Sequence, residues 1–310
     1  VRDNKENLNL HSTDSYYKFV KEFEFFSDVY LKIKNYADNL TEGYEHVFYN
    51  NYNYFTLEFP LILSAIKSSD KPEIIDKKIK LISKFIDTFI VLKAINRRTL
   101  GYSAIIYTIF NIIKRIRDND LEELSVNLKD EINGLNEKFE GFDYLILHSR
   151  NKRFIHFLLA RITNYIEEHS KIESKFDKYI QRSIKDPYEV EHIVPDVFSE
   201  YGEDFSDVKE FEEFRNRVGN LLLLPSSFNK SFGANSFDIK VQNYYGQNLL
   251  ARSLNEQCYY HNPSFKKFVD KSHLPFKPFD KFSKDEINQR QDLYKKIVEK
   301  IWDLKHLNEI

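Results

Sequence analysis

Three short phrases between Glu189 and Lys240 decide how this chain is read. They are Glu191-His192-Ile193-Val194-Pro195, then Gly219-Asn220-Leu221-Leu222-Leu223-Leu224, then Phe228-Asn229-Lys230 leading on to Asn235 and Lys240. The first predicts a short strand, Glu189 to Val194, with an acid beside a histidine and a proline to stop it. The second predicts a strand over Val218 to Leu224, and its almost unbroken apolar run reads as buried. The third follows Pro225-Ser226-Ser227, a helix start, because serine caps the free N–H groups of a first turn. The order is strand, long loop, strand, helix, with His, Asn and Asn on successive pieces.

The chain around this stretch has 310 residues, enough for two domains of ordinary size. It is 42% hydrophobic and 30% charged, a balance that fits a soluble folded protein. Gly and Pro number only 8 each, which favours long helices over a turn-rich β fold. Cys258 is the only cysteine, so disulfides and a paired-cysteine zinc knuckle are excluded. A cytoplasmic setting follows as an expectation. No run approaches the roughly 18 apolar residues of a membrane span, and no signal peptide opens the sequence. Position 1 is Val and no Met occurs, so the chain is expected to be part of a longer protein with a further N-terminal region.

The formal net charge is −2, but the charge is segregated. Asp196, Glu200, Glu203, Asp204, Asp207, Glu210, Glu212 and Glu213 crowd the loop between the two strands. Lys266, Lys267, Lys271, Lys277, Lys281 and Lys284 crowd a later stretch. Both runs read as solvated surface, and the lysines read equally well as phosphate contacts, since a nucleic-acid-binding protein needs a basic face rather than a basic total.

Before the texture change at Lys185-Asp186-Pro187 the pattern is helical. Helices are predicted over 14–39, over 42–67 with a break near Pro60, over 72–96, over 103–117, over 120–139 and over 150–170. Lys71-Pro72-Glu73 suits a helix start, with proline in the first turn and an acid at the positive end. The fourth of these is apolar on several sides and is expected to be central. The many aromatics at helical spacing are expected to be core, and His46, His148, His156 and His169 packing or surface residues. After the strands, helical signals return from Ser226, around 242–254 and from Lys284 to Leu307. Ser283 and Glu286 form a capping-box pattern there, and Trp302 is expected to anchor a core.

His, Asn and Asn on strand, strand and helix resemble the site of an HNH (ββα-metal) nuclease. Cleaving a phosphodiester needs an activated water, charge stabilisation on the phosphate and help for the departing oxygen. A divalent metal supplies the last two, and Mg²⁺ binds few protein oxygens and several waters. A neutral histidine suits the task of general base near pH 7, which gives the role to His192. Glu191 offers the metal a carboxylate and Asn229 an amide oxygen. Asn220, at the start of the second strand, is placed to tie the long loop and hold the His-bearing strand. Neighbours on a regular strand point to opposite faces, so Glu191 and His192 should diverge unless twist near Pro195 brings them together. Glu189 shares the face of Glu191 and stays open as the alternative ligand.

The same phrases, with Arg217-Val218 before Gly219, Asn235-Ser236-Phe237 with Lys240, and a closing helix through Ile287, Arg290 and Trp302, resemble the C-terminal HNH domain of GmrSD-type modification-dependent restriction endonucleases. Related domains occur in phosphorothioate-sensing anti-phage systems. The resemblance covers roughly Asp186 to Trp302, and more loosely the helices before it. It implies a defence enzyme that nicks or cuts foreign DNA with Mg²⁺ or Mn²⁺, and a ParB-like nucleotide-hydrolysing domain preceding these helices. It implies His192 as base, with Glu191, Asn220 and Asn229 completing the site. Arg290 falls where the family shows an arginine. Arg290 and Lys240 read either as DNA-phosphate contacts or as internal ion-pair partners. Where the family often has Gln after the motif proline, this chain has Asp196. The expected fold is mainly α, with a helical platform over 1–184 and an HNH nuclease domain embedded in helices over 185–310. The alternative is a nuclease-like fold that grips DNA or a partner without cutting.

Overall fold

A computed structural model describes residues 4–173 and 175–308 of the protein. It is 63% helical and its sheet has two strands, so the fold is mainly α. Two compact units can be distinguished, Val1–Lys138 with Leu304–Ile310, and Phe139–Asp303. The sequence reading divides the chain after residue 184 instead. The change of texture there marks a switch from helix to strand, while helix 152–169 packs with the strands that follow it.

The first unit holds α1 (Thr13–Asp38), α2 (Glu45–Tyr52), α3 (Glu58–Ser64), α4 (Pro72–Ile95), α5 (Tyr102–Ile116) and α6 (Leu121–Asn133). Helix α4 is its centre: Ile79, Ile82, Phe85, Ile86 and Phe89 are all buried. Pro72 and Glu73 open it as predicted. The predicted break falls before Pro60 rather than at it, because Pro60 lies in the first turn of α3, where no intrahelical N–H is lost. Two expectations are corrected. Helix α5 buries only the stripe Ile105, Ile109, Ile112 and Ile116, and Tyr107 is 81% exposed, so the helix is peripheral. Helix α1 buries Val29, Ile33 and Ala37, whereas Tyr17 and Phe23 face solvent. An apolar stripe shows what a helix is able to bury, not what covers it.

Beneath α4 lies a buried carboxyl. Glu58 Oε1 accepts a hydrogen bond from Asn50 Nδ2 at 2.9 Å, and Oε2 has no partner. Burial, reinforced by the nearby Asp87 charge and opposed by Asn50, drives the Glu58 pKa well up. The folded state therefore holds this proton more tightly than the unfolded chain, and its contribution to stability declines as pH rises above the unfolded carboxyl range. Glu58→Gln keeps the amide bond and removes the titration. Its melting temperature is expected to exceed the parent's at pH 8 and to match it near pH 4. An equal difference at both pH values would refute this account.

The second unit is built on α7 (Lys152–His169), whose Ile155, Phe157, Leu158, Leu159, Ile162 and Ile166 are all 0% exposed. Helix α8 (Phe176–Ile180) leads into β1 (Tyr188–His192). The long acidic connection carries α9 (Val208–Arg215), N-capped by Asp207 through the Glu210 amide. Then come β2 (Leu221–Pro225), α10 (Ser226–Phe232), α11 (Phe237–Tyr244), α12 (Leu249–Arg252), α13 (Gln257–His261), α14 (Pro263–Ser272) and α15 (Lys284–Ile301).

Strands β1 and β2 are antiparallel, with Glu191 opposite Leu222 and His192 opposite Leu221. Leu221 to Leu224 are fully buried, because α7, α10 and α12 all pack against β2. Val218–Asn220 forms a 3₁₀ turn rather than strand. Gly219 is required in that turn: a Cβ there would stand 2.4 Å from the Ile287 carbonyl oxygen and 2.5 Å from the Gln291 nitrogen. Gln291 clasps the turn from α15, accepting from Gly219 N at 2.6 Å and donating to the Phe142 carbonyl at 2.6 Å. The predicted capping box of Ser283 and Glu286 opens α15, and Trp302 is buried at its end.

Candidate active site

The end of β1, the end of α9, the turn before β2 and the helix after it meet at one place. Asn220 ties three of these pieces. Its Oδ1 accepts from Val194 N at 3.0 Å, and its Nδ2 donates to the Arg215 carbonyl at 2.7 Å. It is fully buried, so both bonds are shielded from water. Its backbone carbonyl also accepts from Ile193 N at 2.9 Å. The amide thus locks the exit of the histidine strand to the end of the acidic loop.

Strand alternation separates Glu191 from His192, as regular pleating requires. The His192 ring, half-buried, meets Asn216, with Nε2 and Oδ1 3.3 Å apart. Asn216 Nδ2 donates to the Glu212 carbonyl at 2.8 Å. A carbonyl only accepts, so this bond fixes which end of the amide faces the ring. Oδ1 also only accepts, so the neutral imidazole carries its proton on Nε2 and keeps the Nδ1 lone pair for another proton. Burial, helped by the Arg215 charge and opposed by the Asn216 bond, pushes the His192 pKa down to about 4. The ring is therefore neutral at pH 7.

The Glu191 carboxylate turns to the other side and is buried. Lys240 Nζ reaches its Oε1 at 2.7 Å and the His192 carbonyl at 2.8 Å. Burial raises the Glu191 pKa and lowers that of Lys240, and the attraction between the two opposes both shifts. The other carboxylate oxygen lies against the end of α10: a Cβ on Gly233 would stand 3.7 Å from Glu191 Oε2 and 2.5 Å from the Asn229 carbonyl. Gly233 is one turn beyond Asn229, so the two share a helix face. Asn229 Oδ1 is buried and has no hydrogen-bond partner.

Arg215 joins the two halves of the site. Its guanidinium lowers the pKa of both His192 and Glu191. Its Nε is buried with no hydrogen-bond partner, and the Asp196 carboxylate is 3.8 Å away. Arg215 and Asn216 were missed in the sequence. The signal was present, since both directly precede the Arg217-to-Asn220 phrase at the end of a helix. Spacing alone does not say that a helix C-terminus is aimed at His192.

Lys240 and Arg290 are not on a DNA-facing surface, which corrects the phosphate-contact reading of both. Lys240 is 0% exposed and committed to Glu191. Arg290 is 1% exposed, donating to the Tyr294 hydroxyl at 2.6 Å and the Leu250 carbonyl at 3.3 Å. Tyr294 in turn donates to the Leu221 carbonyl at 3.0 Å, so Arg290 braces the back of β2. Glu189 is partly exposed and acts electrostatically on His156, whose Nε2 meets the Tyr188 carbonyl at 3.0 Å.

A family model described as GmrSD restriction endonucleases, C-terminal domain, matches residues 131–297. The chain belongs to this family. No curated protein and no solved structure matches it. The GmrSD C-terminal match contains every residue of the site described above, and begins in α6, well before the texture change at residue 185.

Among the described residues no group of three or more His, Cys, Asp or Glu gathers as a metal cluster. Mg²⁺ does not need one, since it is held by one or two carboxylates and keeps its waters. An unpartnered buried amide oxygen on the helix face that meets Glu191 Oε2 fits a hard cation. The Lys240 ammonium on Oε1 leaves that single carboxylate oxygen for it. Among the described residues no helix is long and apolar enough to cross a membrane.

Proposed function

We propose that this GmrSD C-terminal module is a metal-dependent DNA endonuclease, with His192 as general base. The observation that carries the reading is His192 Nε2 set 3.3 Å from the Oδ1 of an Asn216 whose Nδ2 is committed to the Glu212 carbonyl, an arrangement that directs the ring proton to Nε2 and leaves Nδ1 to take one from water. Glu191 Oε2 and Asn229 Oδ1 would hold Mg²⁺ or Mn²⁺. Such an ion, when bound, neutralises charge on the phosphate and makes a nearby water more acidic. That matters here because a base with a pKa near 4 is weak, and it works best on a water whose own pKa has been lowered. Arg215, whose charge acts on both His192 and Glu191 and whose Nε makes no hydrogen bond, would contact the phosphate and stabilise the charge developing on it. Asn220 holds the base in position.

A supercoiled plasmid assay tests the reading. Nicking or linearisation should appear with Mg²⁺ or Mn²⁺ and vanish with a chelator. Binding without any cleavage would favour the second reading, a module that grips DNA without cutting. One observation favours that alternative: Lys240 already neutralises Glu191.

The role of Asn216 has its own test. Asn216→Asp places a negative charge against the ring and stabilises its protonated form. The acid limb of kcat/KM against pH should move from about pH 4 toward the ordinary histidine range near 6.5. A purely structural role for Asn216 would lower the rate and leave the limb where it was.

A further inference from the structure

Two lysines of the run that the candidate site does not use line a cavity. Lys267 and Lys271, from α14, meet Lys171 and Lys300 around a cavity of about 460 Å³ in the second unit. The four lysines are exposed and come from three separate segments. Among the described residues no Asp or Glu lines the cavity. Lys171, Lys267 and Lys271 have no ion-pair partner among the described residues, whereas neighbouring Lys266 is paired with Asp270 at 3.4 Å.

The wall of the cavity is aromatic. The Tyr165 and His169 rings lie 4.0 Å apart, centroid to centroid, at 34°. Phe268 meets both, at 6.2 Å from Tyr165 and 5.8 Å from His169. Tyr165 is half-buried and His169 exposed, so a flat group is able to reach these rings from solvent.

A simpler role for the cations is to offset helix dipoles, because α7, α14 and α15 all end here with basic last turns. Three C-termini contribute about −1.5 elementary charges in total. The ammonium groups of Lys171, Lys267 and Lys271 by themselves exceed that.

We propose that this cavity binds one nucleotide unit, its phosphate against the lysines and its base against the Tyr165 and His169 rings. Ammonium groups suit phosphate, and base–aromatic stacking tolerates any base. The unit belongs either to a nucleic-acid strand or to a free nucleotide. That the strand is DNA rests on the nuclease reading. The axial rise of α7 from His156, bonded to the start of β1, to His169 is about 20 Å, roughly six nucleotides of stacked strand.

The test uses the full chain carrying His192→Ala and a fluorescent deoxythymidylate decamer, titrated over a range of salt. Lys171→Gln/Lys267→Gln/Lys271→Gln should weaken binding and lower the slope of log affinity against log salt by about 0.7, the value for one phosphate of a single strand. Tyr165→Leu should weaken binding about tenfold and leave that slope unchanged. Displacement of the decamer by thymidine monophosphate identifies a free-nucleotide site, and failure to displace it identifies a strand contact. Unchanged affinity and slope in both variants overturn the proposal, as does a parent chain that ignores the decamer. Binding of acidic peptides or anionic vesicles in place of the decamer overturns it too. Plasmid cleavage by the chain with His192 intact is scored separately. No cleavage, with decamer binding lost in the variants, sinks the nuclease reading and leaves the cavity standing. Cleavage, with decamer binding unaltered in the variants, does the reverse.

Discussion

His192→Ala should reduce metal-dependent plasmid cleavage by about 10²- to 10⁴-fold, the usual worth of a positioned general base. The size follows from the ring's state. Burial and Arg215 hold the pKa near 4, so nearly every molecule presents an unprotonated Nδ1 at pH 7. DNA affinity should change little, because the ring is half-buried and its neutral form carries no charge to a phosphate. Folding should also survive, since strand pairing and the Asn220 tie are made by backbone groups of β1 and the residues after it. The measurement is single-turnover cleavage against pH from 4 to 8, beside a binding titration. Cleavage retained within threefold of the parent, or an acid limb that stays at 6.5 in the parent, removes His192 from the mechanism.

The second large effect concerns stability. Lys240→Ala should destabilise the second unit by about 3–5 kcal/mol, because it leaves the buried Glu191 carboxylate without its partner. The ammonium also donates to the carbonyl of His192 at 2.8 Å and that of Ile193 at 3.3 Å, so two backbone acceptors lose this donor with it. The cost is mainly that of the orphaned charge. Lys240→Met combined with Glu191→Gln removes both charges at similar volume and should recover most of the loss. Urea unfolding of the three proteins decides the matter. A Lys240→Ala loss below about 1 kcal/mol, the size of an ordinary surface change, would show that the pair is not buried as described. The same variants bear on function. If Lys240 competes with a cation for Glu191, Lys240→Met alone should bind Mn²⁺ more tightly than the parent.

Much of this fold was legible without coordinates. Helix α4 begins at Pro72, and helix α15 begins after Ser283, because proline and capping residues act within one turn of where they stand. The apolar run Leu221 to Leu224 announced a buried strand because few other places accept four consecutive leucines. The order of His192, Asn220 and Asn229 was also readable, since it is a property of the chain and not of its folding. The unit boundary was less so: the switch from helix to strand at residue 185 is local, whereas packing partners are not.

The amino-acid sequence by itself determined which segments become helix or strand, and that an acid, a histidine and two asparagines ride on adjacent pieces. Tertiary structure alone decided that Lys240 closes on Glu191 from 49 residues away and that Arg290 braces β2 from within. It alone decided that Asn216 orients the imidazole, and that Tyr107 stays in water. The reason is physical. Propensity, capping and periodicity act over a few residues, but a charge is buried or exposed according to which distant groups arrive to replace its water.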